Sequence, residues 1–321
     1  SGKALLDFDL IAFSVSYEND YLNLPTILEL ARIPWLAKDR DEKFPLLLAG
    51  GVCAFMNPEP LAEVMDLFAV GEAEVILPGL VEALRAWNGE NPLLPELAKL
   101  PGMYVPSLYA VRYNDKGEIA GWDVTGDAPF PVKRVWLKNL DDSPSRSFVQ
   151  TAETEFGEMA LTEISRGCSR GCRFCAAGFL FLPPRERSLD SLLPQVDQGL
   201  CERSRQGLVS PAVGDHSQLK ALQKHILLAG GEVSVASIRM DTITAEDAEA
   251  LMQSGHKTVS LAPEAGSQKM RDNINKGVTQ EQILHAVGLI SDGGVPNLKL
   301  YFLIGLPCET NEDVEAIIGL T

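Results

Sequence analysis

Three cysteines, Cys168, Cys172 and Cys175, stand close together in a glycine-containing segment with the spacing Cys-x3-Cys-x2-Cys. The segment follows an apolar run, Met159–Ile164, that predicts a buried strand. Thiolates this close in sequence can surround one metal centre, and they are the usual ligands of iron–sulfur clusters. Because three ligands leave one iron of a four-iron cluster open, the spacing predicts a catalytic rather than a closed structural centre.

Two other metal chemistries fit this spacing less well. A structural zinc site needs a fourth Cys or His, and an electron-carrying ferredoxin needs four cysteines for each cluster. The remaining cysteines, Cys53, Cys201 and Cys308, are scattered, and we interpret them as small core side chains. Six cysteines in 321 residues are too few for a disulfide-stabilised fold. The pattern therefore predicts a metal site in a reducing, cytoplasmic compartment.

The charge of the chain limits the kinds of partner that it can bind. Its 28 Lys and Arg against 44 Asp and Glu give a formal net charge of −16, and an acidic surface repels phosphate backbones, which argues against broad nucleic-acid binding. Apolar runs are far shorter than the ~20 residues of a membrane helix, so we expect no membrane partner. Positive charge that can offset an anionic cluster, or receive an anionic substrate or a reductant, is concentrated near the cysteines at Arg166, Arg170, Arg173, Arg185 and Arg187.

The first part of the chain alternates strand and helix signals, as an α/β domain does. The predicted elements are the strands Leu10–Val15, Leu46–Ala49 and Leu67–Val70 and the helices Leu22–Ile33, Pro58–Met65 and Glu74–Trp87. Short, uniformly apolar strands favour a parallel sheet covered on both faces. After them, the turn Asn114–Gly117 predicts a β-hairpin between Leu108–Tyr113 and Glu118–Val124, and Val132–Leu137 predicts a further strand.

From Met159 onwards the strand and helix signals alternate again, and repeated βα units fit an open sheet or a barrel. The predicted elements are the strands Met159–Ile164, Leu208–Val213, Val233–Ile238, Thr258–Ala262 and Leu298–Ile304 and the helices Leu189–Arg203, Gln218–Leu228, Ala245–Gln253 and Gln280–Ser291. We therefore divide the chain into an α/β domain at residues 1–93, a hairpin-containing connector at 94–158 and a βα-repeat domain at 159–321.

Both ends of the chain predict a fragment or a processed protein. The chain does not begin with Met and enters a strand almost at once. The capping-box sequence Thr310–Asp313 opens a helix, Val314–Leu320, that halts without a stop signal. We expect the first domain to be incomplete at its N-terminal side and the last at its C-terminal side.

The cysteine spacing, with Phe174 directly before Cys175, resembles the signature of the radical S-adenosylmethionine (SAM) superfamily. The resemblance implies a full or partial (β/α) barrel with the cluster loop after its first strand, at the C-terminal edge where barrel sites lie. It also implies that a [4Fe–4S] cluster binds SAM through its open iron and reduces it to a 5′-deoxyadenosyl radical, which abstracts hydrogen from a substrate. A reductant of the flavodoxin or ferredoxin type is expected as a partner.

Segments further along the chain resemble parts of the family's SAM site. Glu264, which follows the fourth predicted strand, is expected at the ribose hydroxyls, since a carboxylate can accept both. Lys276 is expected at the SAM carboxylate, where family members often carry Arg, and a solvated lysine at a helix end is the alternative. Gly305, which follows the fifth strand, and Phe174 are expected to line the same site.

The family's Gly-Gly-Glu segment, which holds the amino group of SAM, is absent after the second strand of this domain. The nearest equivalent there is Gly214 with Asp215, and the resemblance assigns them to that place. Gly230–Glu232 has the same three residues as the motif, but it follows a helix and precedes the third strand. We therefore interpret it as a helix-ending turn. Ser237 and Arg239 are expected either to reach the cavity or to cap the rim of the barrel.

The pair Gly50 and Gly51 after a strand, with Gly71-Glu72 further along, resembles the cobalamin-binding domains that precede some radical SAM barrels. Such domains often carry a His in this loop, where the chain has Cys53, and the strand that bears the axial His motif is lacking. Cobalamin binding and a degenerate scaffold therefore both stay open. Together the resemblances point to an uncharacterised branch of radical SAM proteins with a degenerate cobalamin-binding-like domain.

The leading hypothesis is a radical SAM enzyme whose substrate the sequence does not identify. Cobalamin-dependent methyl transfer is one version of it. Methylthio transfer ranks low, because its N-terminal domain would normally bring three further cluster cysteines and only Cys53 is available. The non-enzymatic rival is an iron–sulfur or cobalamin carrier, and Glu264 and the segment Gly305–Thr310 argue against it, because a carrier needs no SAM pocket.

Overall fold

The computed structural model describes residues 2–235, 239–255 and 257–321, without the side chain of Val235. The described residues form two compact units, Ser1–Leu137 and Lys138–Thr321. The boundary between the units falls inside the stretch predicted as a connector. Among the described helices, none is both long and apolar enough to cross a membrane.

The first unit is built around a four-stranded sheet. Its strands are β1 (Leu10–Ser14), β2 (Leu46–Gly50), β3 (Leu67–Ala69) and β4 (Met103–Tyr104), in that order, and its helices are α1 (Asn23–Leu30), α2 (Val52–Met56), α3 (Ala73–Ala86) and α4 (Leu93–Ala98). β1, β2 and β3 are parallel, and β4 runs antiparallel to β3. Leu47 packs in one apolar cluster and Leu48 in another, so both faces of the parallel part are covered, as predicted.

Outside the sheet, the helices predicted at Leu22–Ile33 and Glu74–Trp87 and the hairpin are confirmed, and two predictions are wrong. The hairpin forms from β5 (Tyr109–Tyr113) and β6 (Ile119–Val124). Pro58–Met65 is not an α-helix but holds one 3-10 turn at Glu59–Leu61, because the N–H groups of Ala62 and Val64 donate three residues back, to Glu59 and Leu61. Val132–Leu137 forms no strand in the described chain: Val135 makes only an isolated bridge to Gly71, since the chain after Gly71 turns away into α3.

Gly51 closes the loop between β2 and α2 against the backbone of Val15. Its φ is +91°, and an added Cβ would lie 2.5 Å from the carbonyl oxygen of Val15. We expect Gly51→Ala to lower the free energy of unfolding by about 2–6 kcal/mol, because a positive φ with ψ of 180° costs a residue with a Cβ ~1–3 kcal/mol and overpacking adds ~1–3 kcal/mol. Denaturant titration measures this loss.

Gly89→Ala is the matched control for that variant. Gly89 also has a positive φ, +81°, but an added Cβ there meets no atom within 4 Å. We therefore expect Gly89→Ala to show only the smaller loss that comes from the backbone conformation. An equal loss in both variants would mean that the close approach to Val15 contributes nothing.

The second unit carries the βα repeats. Its strands are β7 (Met159–Glu163), β8 (Ser165–Arg166), β9 (Arg185–Glu186), β10 (Arg205–Val209), β11 (Glu232–Val235), β12 (Thr258–Glu264) and β13 (Asn297–Phe302). Its helices are α5 (Ala177–Leu180), α6 (Leu189–Glu202), α7 (Leu219–Leu228), α8 (Ala245–Gln253), α9 (Gln268–Asn273), α10 (Gln280–Asp292) and α11 (Asn311–Leu320). β7, β10 and β11 form one parallel sheet and β12 and β13 another. The described strands do not close into a barrel, which confirms the partial barrel.

Most predicted elements of this unit are confirmed, and the second strand is shifted. β10 begins at Arg205, not Leu208, because the fully buried Gln206 pairs with β7 although it breaks the apolar pattern. It ends before Pro211, which cannot donate to a ladder. The turn at Gly230 is confirmed as a helix end: Gly230 donates to Leu227 and Gly231 to Ile226.

Candidate functional site

The cysteine loop connects the short strand β8 with helix α5. Cys172 is 8% exposed, whereas Cys168 and Cys175 are half-buried. The backbone N–H of Cys175 donates to the carbonyl of Cys172 at 3.2 Å and closes the turn. Gly167, with φ of +82°, passes so close to the backbone of Phe181 that no side chain fits there. The loop therefore presents three thiols from one compact turn that follows β7.

A distant segment after α9 holds this loop by its backbone. The N–H of Arg173 donates to the carbonyl of Ile274 at 2.9 Å. The side-chain amide of Asn275 donates to the carbonyl of Gly171 at 2.9 Å and to that of Arg170 at 3.3 Å. Asn275 has a φ of +54°, a conformation that Asn tolerates better than most residues. Residues 274–275 thus fix the path of the chain on both sides of Cys172.

Arg170, inside the loop, bridges two carboxylates. Its Nε donates to Oδ2 of Asp215 at 2.8 Å, its Nη2 donates to Oδ1, and its Nη1 donates to Asp241 at 3.0 Å. Arg239 binds the same Asp241 at 2.9 Å. The hydrogen bonds with Asp215 raise the pKa of Arg170. Burial opposes ionisation of Asp241, but Arg239 and Arg170 outweigh it and hold the pKa of Asp241 below its usual range. The carboxylate of Asp215 therefore lies on the cysteine loop, bound to its arginine.

Glu264 and Lys276 form an ion pair beside the loop. Lys276 Nζ lies 3.1 Å from Glu264 Oε1, and the two side chains are 12% and 14% exposed, respectively. The same ammonium lies 5.6 Å from the ring centroid of Phe174. Glu264 ends β12 with a φ of +68°, which is strained for a residue with a Cβ. The structure thus brings three predicted SAM-site residues together next to Cys175.

Burial and the neighbouring cations have opposite effects on the pKa of the Cys172 thiol. Burial raises the pKa of the Cys172 thiol, while the positive charges of Lys276 and Arg239 act in the opposite direction. The charges of Cys168 and Cys175 would add to the rise. Because a coordinating metal centre favours the thiolate form, these cations lie where they can stabilise a negatively charged metal–thiolate group.

The other predicted residues lie apart from this ion pair. Gly214 lines a cavity of about 200 Å³ between the start of α7 and the start of α8, and a Cβ on it would lie 2.9 Å from the hydroxyl of Thr242. Gly305 follows β13 with a φ of +93°, and its N–H donates to Glu309 at 2.6 Å. Its loop begins at Leu303, whose N–H donates to the carbonyl of Glu264 at 2.8 Å. Ser237 lies outside the described residues.

Sequence reasoning missed three residues that shape the site. Asn275 and Asp241 hold the cysteine loop as described above. Arg271 is fully buried, and its Nη1 donates to the carbonyls of Ala265 and Gly266 at 2.9 and 2.8 Å, which fixes the turn after Glu264. Only Asn275 left a signal in the sequence, because Asn close before a glycine often marks a left-handed turn.

The donor set suits a cluster better than a single metal ion. In the ranges that the structure describes, no three His, Cys, Asp or Glu side chains converge closely enough to hold one ion. Thiolates bound to one zinc ion would lie about 4 Å apart, whereas thiolates of a four-iron cluster bind separate irons. Three thiols on one loop, with cations beside them, are the ligand type of an iron–sulfur centre.

Comparisons with known proteins cover both units. The family described as Radical SAM superfamily matches residues 162–321, and the family described as Radical SAM proteins, N-terminal, matches residues 1–106. An uncharacterised protein of Methanocaldococcus jannaschii is 33% identical over 319 residues, 98% of this chain and 63% of that protein. An uncharacterised methyltransferase of Pyrococcus horikoshii is 24% identical over 296 residues, 88% of this chain and 59% of that protein. The chain thus spans about three fifths of the length of both relatives.

Solved structures share the fold of the chain. The cobalamin-dependent S-adenosylmethionine radical enzyme OxsB, with aqua-cobalamin and S-adenosylmethionine bound, has a TM-score of 0.64 at 18% identity and matches 98% of this chain and 44% of its own. The methyltransferase TsrM from Kitasatospora setae, with cobalamin and a [4Fe–4S] cluster bound, has a TM-score of 0.65 at 17% identity and matches 97% of this chain and 62% of its own. At these identities the likeness establishes the fold alone.

Proposed function

Because the chain belongs to the radical SAM superfamily, we propose that it is an enzyme that holds a [4Fe–4S] cluster on Cys168, Cys172 and Cys175 and cleaves SAM reductively. When bound, the cluster and SAM supply the electron and the 5′-deoxyadenosyl group for hydrogen abstraction from a substrate that the chain does not identify. A reductant of the flavodoxin or ferredoxin type would deliver the electron to the loop, where the exposed Arg173 supplies positive charge.

The observation that carries this proposal is the ion pair of Glu264 and Lys276 beside Phe174. The two groups bind each other at 3.1 Å in a largely buried position. SAM offers both of them a new partner, since its ribose hydroxyls can donate to Glu264 and its carboxylate can accept from Lys276. The pair would keep donors and acceptors for SAM while it stays formed, because Lys276 has three N–H groups and Glu264 has a second oxygen. An iron–sulfur carrier has no use for such a pair.

The surrounding residues position the loop. Asn275 and Arg173 tie its backbone to the segment after α9. Asp215, which the family resemblance places at the amino group of SAM, binds Arg170. Each oxygen of the Asp215 carboxylate accepts one hydrogen bond from Arg170 and has a further lone pair, so we propose that Asp215 both positions the loop and offers an acceptor to the amino group.

Anaerobic reconstitution of the protein with iron and sulfide, followed by dithionite and SAM, tests the proposal. The cluster-loaded protein should form 5′-deoxyadenosine and methionine, which chromatography with mass detection measures. A protein that holds about four irons per chain but forms neither product would contradict the enzyme and favour the carrier.

Asn275→Gly tests how the loop is held. Glycine keeps the positive φ and removes the amide, so the carbonyls of Arg170 and Gly171 lose their donor, at ~1 kcal/mol for each hydrogen bond. We expect a chelator to strip the cluster several-fold faster, which the decay of visible absorbance measures. Asn297→Gly is the control, because it removes an amide-to-carbonyl hydrogen bond, to Lys257 at 3.0 Å, elsewhere in the unit. Equal decay in both variants would exclude a loop-holding role for Asn275.

Cobalamin-dependent methyl transfer is the second candidate, favoured by the shared fold with OxsB and TsrM. The crevice at Gly50 and Gly51 fits that cofactor poorly, because Tyr21 and the 2% exposed Cys53 fill it and leave no volume for a water molecule. Absorbance after incubation with cobalamin and gel filtration distinguishes the candidates. Cobalamin that stays with the protein supports methyl transfer, and cobalamin that separates supports a scaffold role for the first unit.

A further inference from the structure

The first unit contains a cavity of about 420 Å³ that has no part in the proposed reaction. It lies where β2 and β3 begin, between the hairpin and the chain that leads into those strands. Its characteristic side chains are Lys38, Glu59, Glu63, Tyr104, Tyr109 and Trp122. The buried Met65 closes its floor. A volume of this size accommodates a small organic molecule.

One wall of the cavity is aromatic. The rings of Tyr104 and Tyr109 lie 5.1 Å apart between centroids, and Phe130 continues the row at 6.4 Å from Tyr109 and 6.0 Å from Trp122. Both phenol hydroxyls are already engaged: Tyr104 donates to Glu59 at 2.6 Å and Tyr109 to the carbonyl of Pro129 at 2.6 Å. Tyr104 is only 7% exposed and stacks on Phe68, so the ring surface open to a ligand comes from the half-buried Tyr109 and Trp122.

The mouth of the cavity is acidic. Glu59 and Glu63 line it, against one ammonium, that of Lys38. The third carboxylate, Asp66, is neutralised by Arg40 at 2.9 Å in a buried ion pair. Within the described part of the chain, neither Glu59 nor Glu63 forms an ion pair. The mouth of the cavity consequently carries a net negative charge next to aromatic rings.

We propose that this cavity binds a small aromatic cation. The faces of aromatic rings attract a cation through their quadrupole, and the carboxylates at the mouth add charge–charge attraction. A flat apolar body can stack on the ring wall while its ammonium or similar group remains near Glu59 and Glu63. An anion of the same size meets repulsion from those two groups, and a neutral molecule gains only the stacking.

The site is separate from any cofactor crevice of the same sheet. In open α/β sheets, ligands bind outside the carboxyl ends of the strands, which here lie at Gly50 and at Ala69. The cavity opens at the opposite edge, where Met65 and Asp66 lead into β3. Its ligand therefore does not compete with a group held at the Gly50–Gly51 loop, and the proposal does not depend on SAM chemistry.

Three probes of similar size and different charge test the proposal: benzylammonium, benzyl alcohol and phenylacetate. Titration calorimetry and tryptophan fluorescence at neutral pH should show benzylammonium binding at least tenfold more tightly than benzyl alcohol, with phenylacetate weakest. The double variant Glu59→Gln with Glu63→Gln should lose that preference about tenfold, because it removes the charges but keeps an acceptor for Tyr104. Glu42→Gln, at an exposed glutamate of the same unit that does not line the cavity, should bind as the parent does.

Two results would overturn the proposal. One is the absence of benzylammonium binding in a folded protein whose thermal unfolding is normal. The other is binding that does not distinguish the three probes, or that the double glutamine variant retains unchanged. Because the cavity lies in the first unit, Cys172→Ala should bind benzylammonium as tightly as the parent protein, so failure of the cluster proposal and failure of this one can be told apart.

Discussion

Replacing Cys172 with alanine is expected to abolish cluster binding and, with it, all cleavage of SAM. Cys172 is the most buried of the three thiols and occupies the middle of the loop. Each cysteine would hold a separate iron, and the fourth iron has no protein ligand to compensate. Bound iron after anaerobic reconstitution should therefore fall from about four per chain to near zero, and 5′-deoxyadenosine should become undetectable.

Cys201→Ala controls for the chemistry of the substitution itself. The prediction that the scattered cysteines lie in the core holds for Cys53 and is wrong for Cys201 and Cys308, which are exposed. Cys201 lies on α6 and makes one weak contact to the carbonyl of Asp197 at 3.3 Å. This variant should reconstitute as the parent protein does. If Cys172→Ala retained as much iron as Cys201→Ala, the loop would not be the cluster site, and the enzyme proposal would lose its foundation.

Glu264→Gln is expected to weaken SAM binding by tenfold or more. A hydrogen bond to a charged group contributes ~1.5–3 kcal/mol, and 1.4 kcal/mol corresponds to a factor of ten in affinity. Glutamine keeps the size of the side chain but loses the negative charge and one of the two acceptor oxygens, so its hydrogen bonds to the ribose hydroxyls are weaker. Equilibrium dialysis of SAM against the cluster-loaded protein measures the affinity, and product formation at saturating SAM separates binding from turnover.

The matched control for that variant is Glu232→Gln. Glu232 belongs to the Gly-Gly-Glu sequence that resembles the family motif, yet it pairs with Arg205 at 2.7 Å at the start of β11. SAM affinity should not change in this variant. A loss of affinity in Glu232→Gln together with none in Glu264→Gln would reverse both assignments. Lys276→Met adds a further test. The loss of SAM binding free energy in the double variant, Glu264→Gln with Lys276→Met, should differ from the sum of the losses in the two single variants.

The parallel sheets were predictable because their strands are short, apolar and separated by helices with clear starts and ends. Ala245–Gln253 was predicted to the residue, since Thr244 caps it with a capping box. Errors arose where tertiary contacts override local pattern. Gln206 is buried in β10, where its side-chain amide donates to the carbonyl of Arg203 at 3.2 Å. The apolar periodicity of the sequence does not predict such a partner.

The cysteines were predictable because metal ligands must be of particular types at particular spacings. The residues that hold the loop were not, because a backbone carbonyl can be satisfied by any suitable donor from anywhere in the fold. Asp215 illustrates the difference: its position near the loop follows from the βα repeat, but its bond to Arg170 depends on side chains that the sequence cannot orient. The pairing of Glu264 with Lys276 likewise emerged only from the folded chain.

The hydrogen bonds from Asn275 to the cysteine loop span 105 positions along the chain, and this separation has a consequence for biosynthesis. A ribosome adds about 5–20 residues per second, so the cysteines are made roughly 5–20 s before the segment that holds them. During that interval the nascent thiols are open to oxidation and to stray metals. Cluster delivery is therefore best timed after translation of α9, and chains that terminate before Ile274 should be poor acceptors of iron and sulfide.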